Sequence, residues 1–237
     1  DIPAFRWFDR QSGRVLASNR PEGAKTIDER LSRGRRGLLY DGSSVNNVLT
    51  GGARTNIFTV SAIGDADRPS RRIEDLLLFL LNPYCMLRVA GLAVWDLIVE
   101  YLGAWRQRLR DEYPRVSRRG YYPLLRIMTN VVLREMSTYL VLLDIMRGVP
   151  AVYVTYLGYD EVAHFAGPVS PDVRGPLAGI DHQIRRIVKI IARDAPIPYD
   201  VVVLSDHGHT PSVPFSHLTG RKLRELLQEI VSGQAGV

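Results

Sequence analysis

The chain has a single cysteine, Cys85, in 237 residues. No disulfide can form within it, so the small disulfide-stapled folds are excluded, as is a zinc module built on cysteine pairs. No glycine-rich phosphate loop of the Walker or dinucleotide type is present. No uninterrupted apolar run reaches transmembrane length, because Arg88, Asp96 and Glu100 break the most apolar stretch. The start, Asp1-Ile2-Pro3-Ala4-Phe5, has neither the basic nor the apolar region of a signal peptide. It also lacks an initiator Met, and the expectation is a piece of a longer protein. There is no internal repeat and no low-complexity tract.

What is present is an ordinary globular composition, 46% hydrophobic and 24% charged. The length suffices for a sizeable core. Net charge is +6, from 31 basic and 25 acidic residues. That excess suits nucleic acid, anionic lipid or phosphorylated substrates and does not choose among them.

Extended pieces are expected at Ala4–Phe8, Val15–Ala17, Leu38–Tyr40 and Asn56–Ser61. Thr26-Ile27-Asp28-Glu29 looks like a capping box opening a short helix. Asp41 to Asn47 reads as a turn-rich loop. Helical spacing predicts helices over Ile73–Leu81, Tyr84–Leu109, Leu124–Met146, Ile180–Arg193 and Leu223–Val231, with a break at Asn82-Pro83. The fold class that follows is α/β, a mostly parallel sheet sandwiched by helices. Residues 1–71 and 148–237 are expected to form an incomplete core. The block 72–147 is expected as a helical insertion or cap.

Two segments carry chemistry. Tyr199 to Ser205 is a nearly all-apolar run that reads as a strand buried on both faces, and it ends in Asp206-His207-Gly208-His209. Ala151 to Leu157 is a second strand candidate, followed by Gly158-Tyr159-Asp160-Glu161-Val162-Ala163-His164. A helix beginning near Asp160 puts Asp160 and His164 on one face. Two parallel strands would then each deliver a carboxylate and an imidazole to one sheet edge, where open α/β sheets bind ligands. Taken singly these motifs have bland readings: an Asp can cap a helix, and a His can satisfy a buried contact. Both together, each behind a strand, favour a site for zinc first and manganese second.

These residues resemble the second and third metal-ligand motifs of the alkaline phosphatase superfamily, in its type I phosphodiesterase and nucleotide pyrophosphatase branch. The wording Tyr159 to Pro168 is similar to a bacterial subgroup whose members often carry membrane segments ahead of this domain. The resemblance implies a metal-dependent phosphoric ester hydrolase with two divalent ions, acting on a phosphate ester or diester. It implies Asp160 and His164 on one ion, Asp206 and His207 on the other. His209 and His217 are secondary candidates for metal or substrate. The resemblance places the nucleophile and the first ligand Asp upstream of Asp1, so that this stretch alone is expected to be inactive. It disfavours Ser43, Ser44 and Thr50 as nucleophiles. Membrane association is expected for the parent protein.

A second reading is a non-catalytic membrane-associated module. It rests on the helical block and on Arg106, Arg108, Arg110, Arg115, Arg118 and Arg119, which suit an anionic membrane surface. Nucleic-acid binding ranks last, because these arginines lack interleaved aromatics.

Overall fold

The computed structural model describes residues 5–64, 72–110, 122–211, 215 and 219–233. The expectations attached to Ala4, to Arg115, Arg118 and Arg119, and to His217 lie outside the described residues.

The chain opens with an antiparallel hairpin, β1 (Arg6–Asp9) and β2 (Arg14–Ala17). Helix α1 runs over Pro21–Ser32 and starts earlier than the capping-box sequence suggests. Pro21 sits in its first turn, where a missing N–H costs nothing. Thr26 lies inside the helix, its hydroxyl donating to the Glu22 carbonyl.

The sheet has three parallel strands in the order β4–β3–β5, with β3 (Ser43–Val45) between β4 (Thr55–Ile57) and β5 (Val152–Val154). Ser43 stands opposite both Thr55 and Val152, and Val45 opposite Ile57 and Val154. The central strand is therefore the stretch expected as a loop. Its serines tolerate full burial because their hydroxyls are bonded: the Arg72 guanidinium donates to Ser43 Oγ, and Asn47 Nδ2 donates to Ser44 Oγ at 2.9 Å. The strand expected at Leu38–Tyr40 shrinks to one bridge, Tyr40 to Ala53. The strand expected at Asn56–Ser61 is shorter too, and a 3-10 turn, Val60–Ala62, follows it.

Helix α2 (Arg72–Leu81) gives way at Asn82 to α3 (Pro83–Arg110), with a 72° bend. The Asn82 side-chain oxygen accepts from the Tyr84 and Cys85 amides at 3.0 and 3.2 Å, capping α3. No single helix among the described residues is long and apolar enough to cross a membrane. The helix expected over Leu124–Met146 is three pieces: α4 (Tyr122–Ile127), a π-helical turn (Met128–Leu133) and α5 (Arg134–Met146). Then come α6 (Gly158–Ala166), α7 (Arg174–Asp194) and α8 (Leu223–Val231). Helix α7 begins six residues before Ile180, so Asp181 lies within it and pairs with Arg185 at 2.7 Å instead of serving the helix start.

The core packs helices on the sheet. Val45 and Ile57 meet Phe79, Met136 and Leu140; beside them Val141, Ile145 and Ile187 form a second cluster. Each such side chain contributes about 1.5–3 kcal/mol on burial. The block 72–147 thus supplies Phe79, Met136 and Leu140 to the same core as the strands. Ion pairs, each with at least one buried partner, tie these helices further. Arg72 pairs with Asp144, and Arg147 meets Asp75 at 2.6 Å, joining α2 to the α5 end. Glu135 of α5 accepts from Arg88 of α3 at 2.8 Å, and from Gln183 and Arg186 of α7 at 2.6 and 3.0 Å. Arg126 of α4 holds Asp96 and Glu100 of α3 at 3.0 and 2.9 Å.

The run after Tyr199 is the main departure from expectation. It is irregular, and its valines face solvent, Val202 77% and Val203 68% exposed. A strand needs ladder partners, and among the described residues none pairs with the free edge of β5. The Tyr199 hydroxyl tethers the start of the segment by donating to the Val149 carbonyl at 2.7 Å.

Candidate metal centre

The site grows from the end of β5. Thr155, just past that strand, donates its amide to the Val45 carbonyl at 3.1 Å and its hydroxyl to Asn47 Oδ1 at 2.6 Å. Asn47 Nδ2 donates in turn to the Tyr153 carbonyl at 3.1 Å. The exits of β3 and β5 are so locked together, and α6 leaves from that edge. Gly158 opens α6 against the π-helical turn. A Cβ on Gly158 would collide with the Asn130 side chain, so the glycine is what lets the helix approach this closely. Gly167, at φ +85°, ends it.

Asp160 and His164 share one face of α6, with His164 Nε2 3.3 Å from Asp160 Oδ1. The loop after Ser205 brings a second imidazole to the same oxygen: His207 Nε2 lies 3.6 Å from Asp160 Oδ1. The His209 ring lies 4.8 Å from that of His164, centroid to centroid. One donor atom each from Asp160, His164 and His209 lie within 4.8 Å of one another. Four of the expected residues and secondary candidates, Asp160, His164, His207 and His209, therefore converge. Asp206 stands at the rim. It is largely exposed, accepts the His207 amide at 3.1 Å, and places Oδ1 3.9 Å from His207 Nε2.

Three observations fit a cation at this cluster. The Asp–His separations are longer than an ordinary N–H···O bond. The His164 separation matches instead the edge of a tetrahedron with bonds of about 2.0–2.1 Å, roughly 3.3–3.4 Å, and the His207 separation is slightly longer. Second, His207 Nδ1 lies 3.0 Å from the Gly208 carbonyl, which can accept but not donate. That fixes the proton on Nδ1 and, in the neutral ring, turns the Nε2 lone pair toward the Asp160 carboxylate. Two electron-rich atoms facing each other call for positive charge between them, supplied by a proton or by a metal ion. Third, His209 Nδ1 is buried with no hydrogen-bond partner among the described residues, and such an atom has a cost unless something occupies it. The His207 pKa is raised by the Gly208 carbonyl first and the Asp206 carboxylate second, which registers the same local negative field.

His209 carries more of the cluster than its secondary rank in the sequence suggests. The available signal was the alternation His207-Gly208-His209, which lets two imidazoles of one loop reach one side. Ser43, Ser44 and Thr50 are buried and bonded inside the core, Thr50 Oγ1 donating to Asp28 Oδ2 at 2.6 Å. His182 is exposed on α7.

Residues 2–232 match the family model described as type I phosphodiesterase / nucleotide pyrophosphatase. No curated protein and no solved structure matches the chain.

Proposed function

Since the chain belongs to the type I phosphodiesterase / nucleotide pyrophosphatase family, which makes it a phosphoric ester hydrolase by kinship, we propose that the Asp160–His164–His207–His209 cluster is its metal centre. The family acts on phosphodiester or pyrophosphate bonds, and the reading extends that substrate class to this chain. Asp160, His164 and His209 hold one divalent ion; His207 and Asp206 hold a second. Imidazole nitrogens with carboxylate oxygens favour zinc, with manganese next. The ions, when bound, polarise the phosphoryl oxygen and neutralise the charge that develops on it.

The rest is the work of the chain itself. Asp160 supplies the negative charge that makes the site prefer a dication. The Gly208 carbonyl holds His207 in the tautomer whose Nε2 faces inward. Asp206, accepting the His207 amide, sets the loop conformation. The cluster is open to solvent, so a phosphorylated substrate reaches it without a lid among the described residues. The observation that carries the reading is the approach of two imidazole Nε2 atoms, on separate segments, to one oxygen of Asp160.

The test is zinc titration of the chain by calorimetry, with bound metal counted by mass spectrometry, beside hydrolysis of bis(4-nitrophenyl) phosphate by the whole protein. Two zinc ions per chain are expected. Asp160→Ala should remove the ion it shares with His164 and His209 and abolish hydrolysis, and Asp206→Ala should remove the other ion. A single ion would retire the second site. Failure to bind zinc above the Asp160→Ala background would sink the assignment.

A further inference from the structure

Helix α3 is inverted. Its charged residues Arg88, Asp96 and Glu100 point into the protein, where they pair with Glu135 and Arg126. Its large apolar residues point out: Leu87, Val94, Trp95, Ile98, Leu102 and Trp105 fall along one side at one- and two-turn intervals and all stand exposed, Leu87 75% and Trp95 63%. The stripe from Leu87 to Trp105 is roughly 27 Å long at 1.5 Å per residue. Helix α2, bent 72° from it, exposes Ile73, Leu77 and Leu81 as well. A solvated helix would carry the opposite pattern, so an apolar medium covers this face.

The residues beside the stripe say which medium. Trp95, Tyr101 and Trp105 stand exposed among the aliphatic side chains, and the exposed Arg106 and Arg108 follow Trp105 directly. The sequence continues with Arg110, Arg115, Arg118 and Arg119, against Asp111 and Glu112 alone. An apolar face carrying tryptophans, with arginines beside it, is what a helix lying in a headgroup interface presents. The apolar stripe of a second copy would offer the exposed Arg106 and Arg108 no counter-charge. We propose that the outer face of α2 and α3 seats the protein on an anionic lipid bilayer, with both helices lying in the interface.

The experiment is flotation of the chain with vesicles of phosphatidylcholine containing about one-third phosphatidylserine, and with pure phosphatidylcholine. Binding to the anionic vesicles is expected, weakening as salt rises, with a blue shift in tryptophan emission. Arg106→Gln with Arg108→Gln should weaken binding about thirtyfold, at about a factor of five per arginine. Leu87→Gln with Ile98→Gln should abolish the blue shift. Both pairs are exposed, and circular dichroism confirms that the variants stay folded. Zinc binding is unaffected in every variant, which separates this proposal from the hydrolase reading. Binding that survives both double substitutions overturns it. So does a dimer in sedimentation that the Leu87 and Ile98 changes dissolve while neither vesicle floats the chain.

Discussion

Helix α5 and the segment from Val201 to His209 invert what hydropathy alone leads one to expect. Helix α5 carries Glu135, Ser137, Thr138 and Asp144, and all four are buried. The segment carries Val201, Val202, Val203 and Leu204, and all four are exposed. What separates them is partners. Both carboxylates of α5 have counterparts: Arg88, Arg186 and Gln183 for Glu135, Arg72 for Asp144. The apolar run lacks a neighbouring strand among the described residues. Burial here follows complementarity, and the cluster joins a rigid half, Asp160 and His164, to a locally held half, His207 and His209.

The sharpest way to break that contrast is to remove a partner. Asp144→Leu leaves Arg72 buried beside a distant Asp75, 3.8 Å away. The expected loss is about 3–5 kcal/mol in urea unfolding. Adding Arg72→Met should restore part of it, since the unpaired buried charge goes while the buried Ser43 hydroxyl loses its donor. A loss below about 1 kcal/mol for Asp144→Leu alone, within the range of an ordinary surface pair, would mean that complementarity does not hold this region together.

A smaller effect tests the rigid half directly. Gly158→Ala drives a methyl into Asn130 and should cost about 1–3 kcal/mol. Because α6 must shift to relieve the clash, zinc affinity should fall with stability. Unchanged affinity would show that the helix position does not set the site.

Acid offers a gentler probe. Burial raises the Glu135 pKa, but the hydrogen bonds and charges of Arg88, Arg186 and Arg134 outweigh it, and the net shift is downward from 4.5. A depressed folded pKa contributes stability that is complete above the unfolded value and is lost as pH falls through the folded one. Unfolding experiments below pH 4.5 should therefore show a steeper decline for the natural chain than for Glu135→Gln. Because burial opposes the ion pairs at this residue, the effect stays below that of Asp144→Leu. Parallel curves would assign the acid sensitivity elsewhere.

The sequence reveals what depends on local pattern. Helices at 72–81, 83–110 and 223–231 follow from periodicity, Asn82-Pro83 and the apolar spacing. Asp160 and His164 meet because four residues make about one helical turn. Two features stay hidden because they depend on distant chain. Ser43 and Ser44 have turn composition, and they become the central strand because Arg72 and Asn47, along with β4 and β5, satisfy them. The π-helical turn at Met128–Leu133 has no sequence mark we can identify; its effect is to set Asn130 against Gly158. The 199–205 run misleads for the complementary reason, since composition specifies a strand but cannot supply its neighbour.

The smallest expected effect bears on that run. Val202→Ser with Val203→Ser removes apolar surface from two side chains that already face water, so no transfer free energy is lost on folding. Stability should change by no more than about 0.5 kcal/mol. The same pair in a strand buried on both faces would cost several times that. The measurement thus discriminates two states of one segment. A near-zero change keeps His207 and His209 on a locally held loop, whose imidazoles come to Asp160 by way of the Gly208 and Asp206 contacts. A loss above about 1.5 kcal/mol would place Val202 and Val203 against a partner surface in solution, and the loop half of the cluster would then be as firmly scaffolded as the helix half.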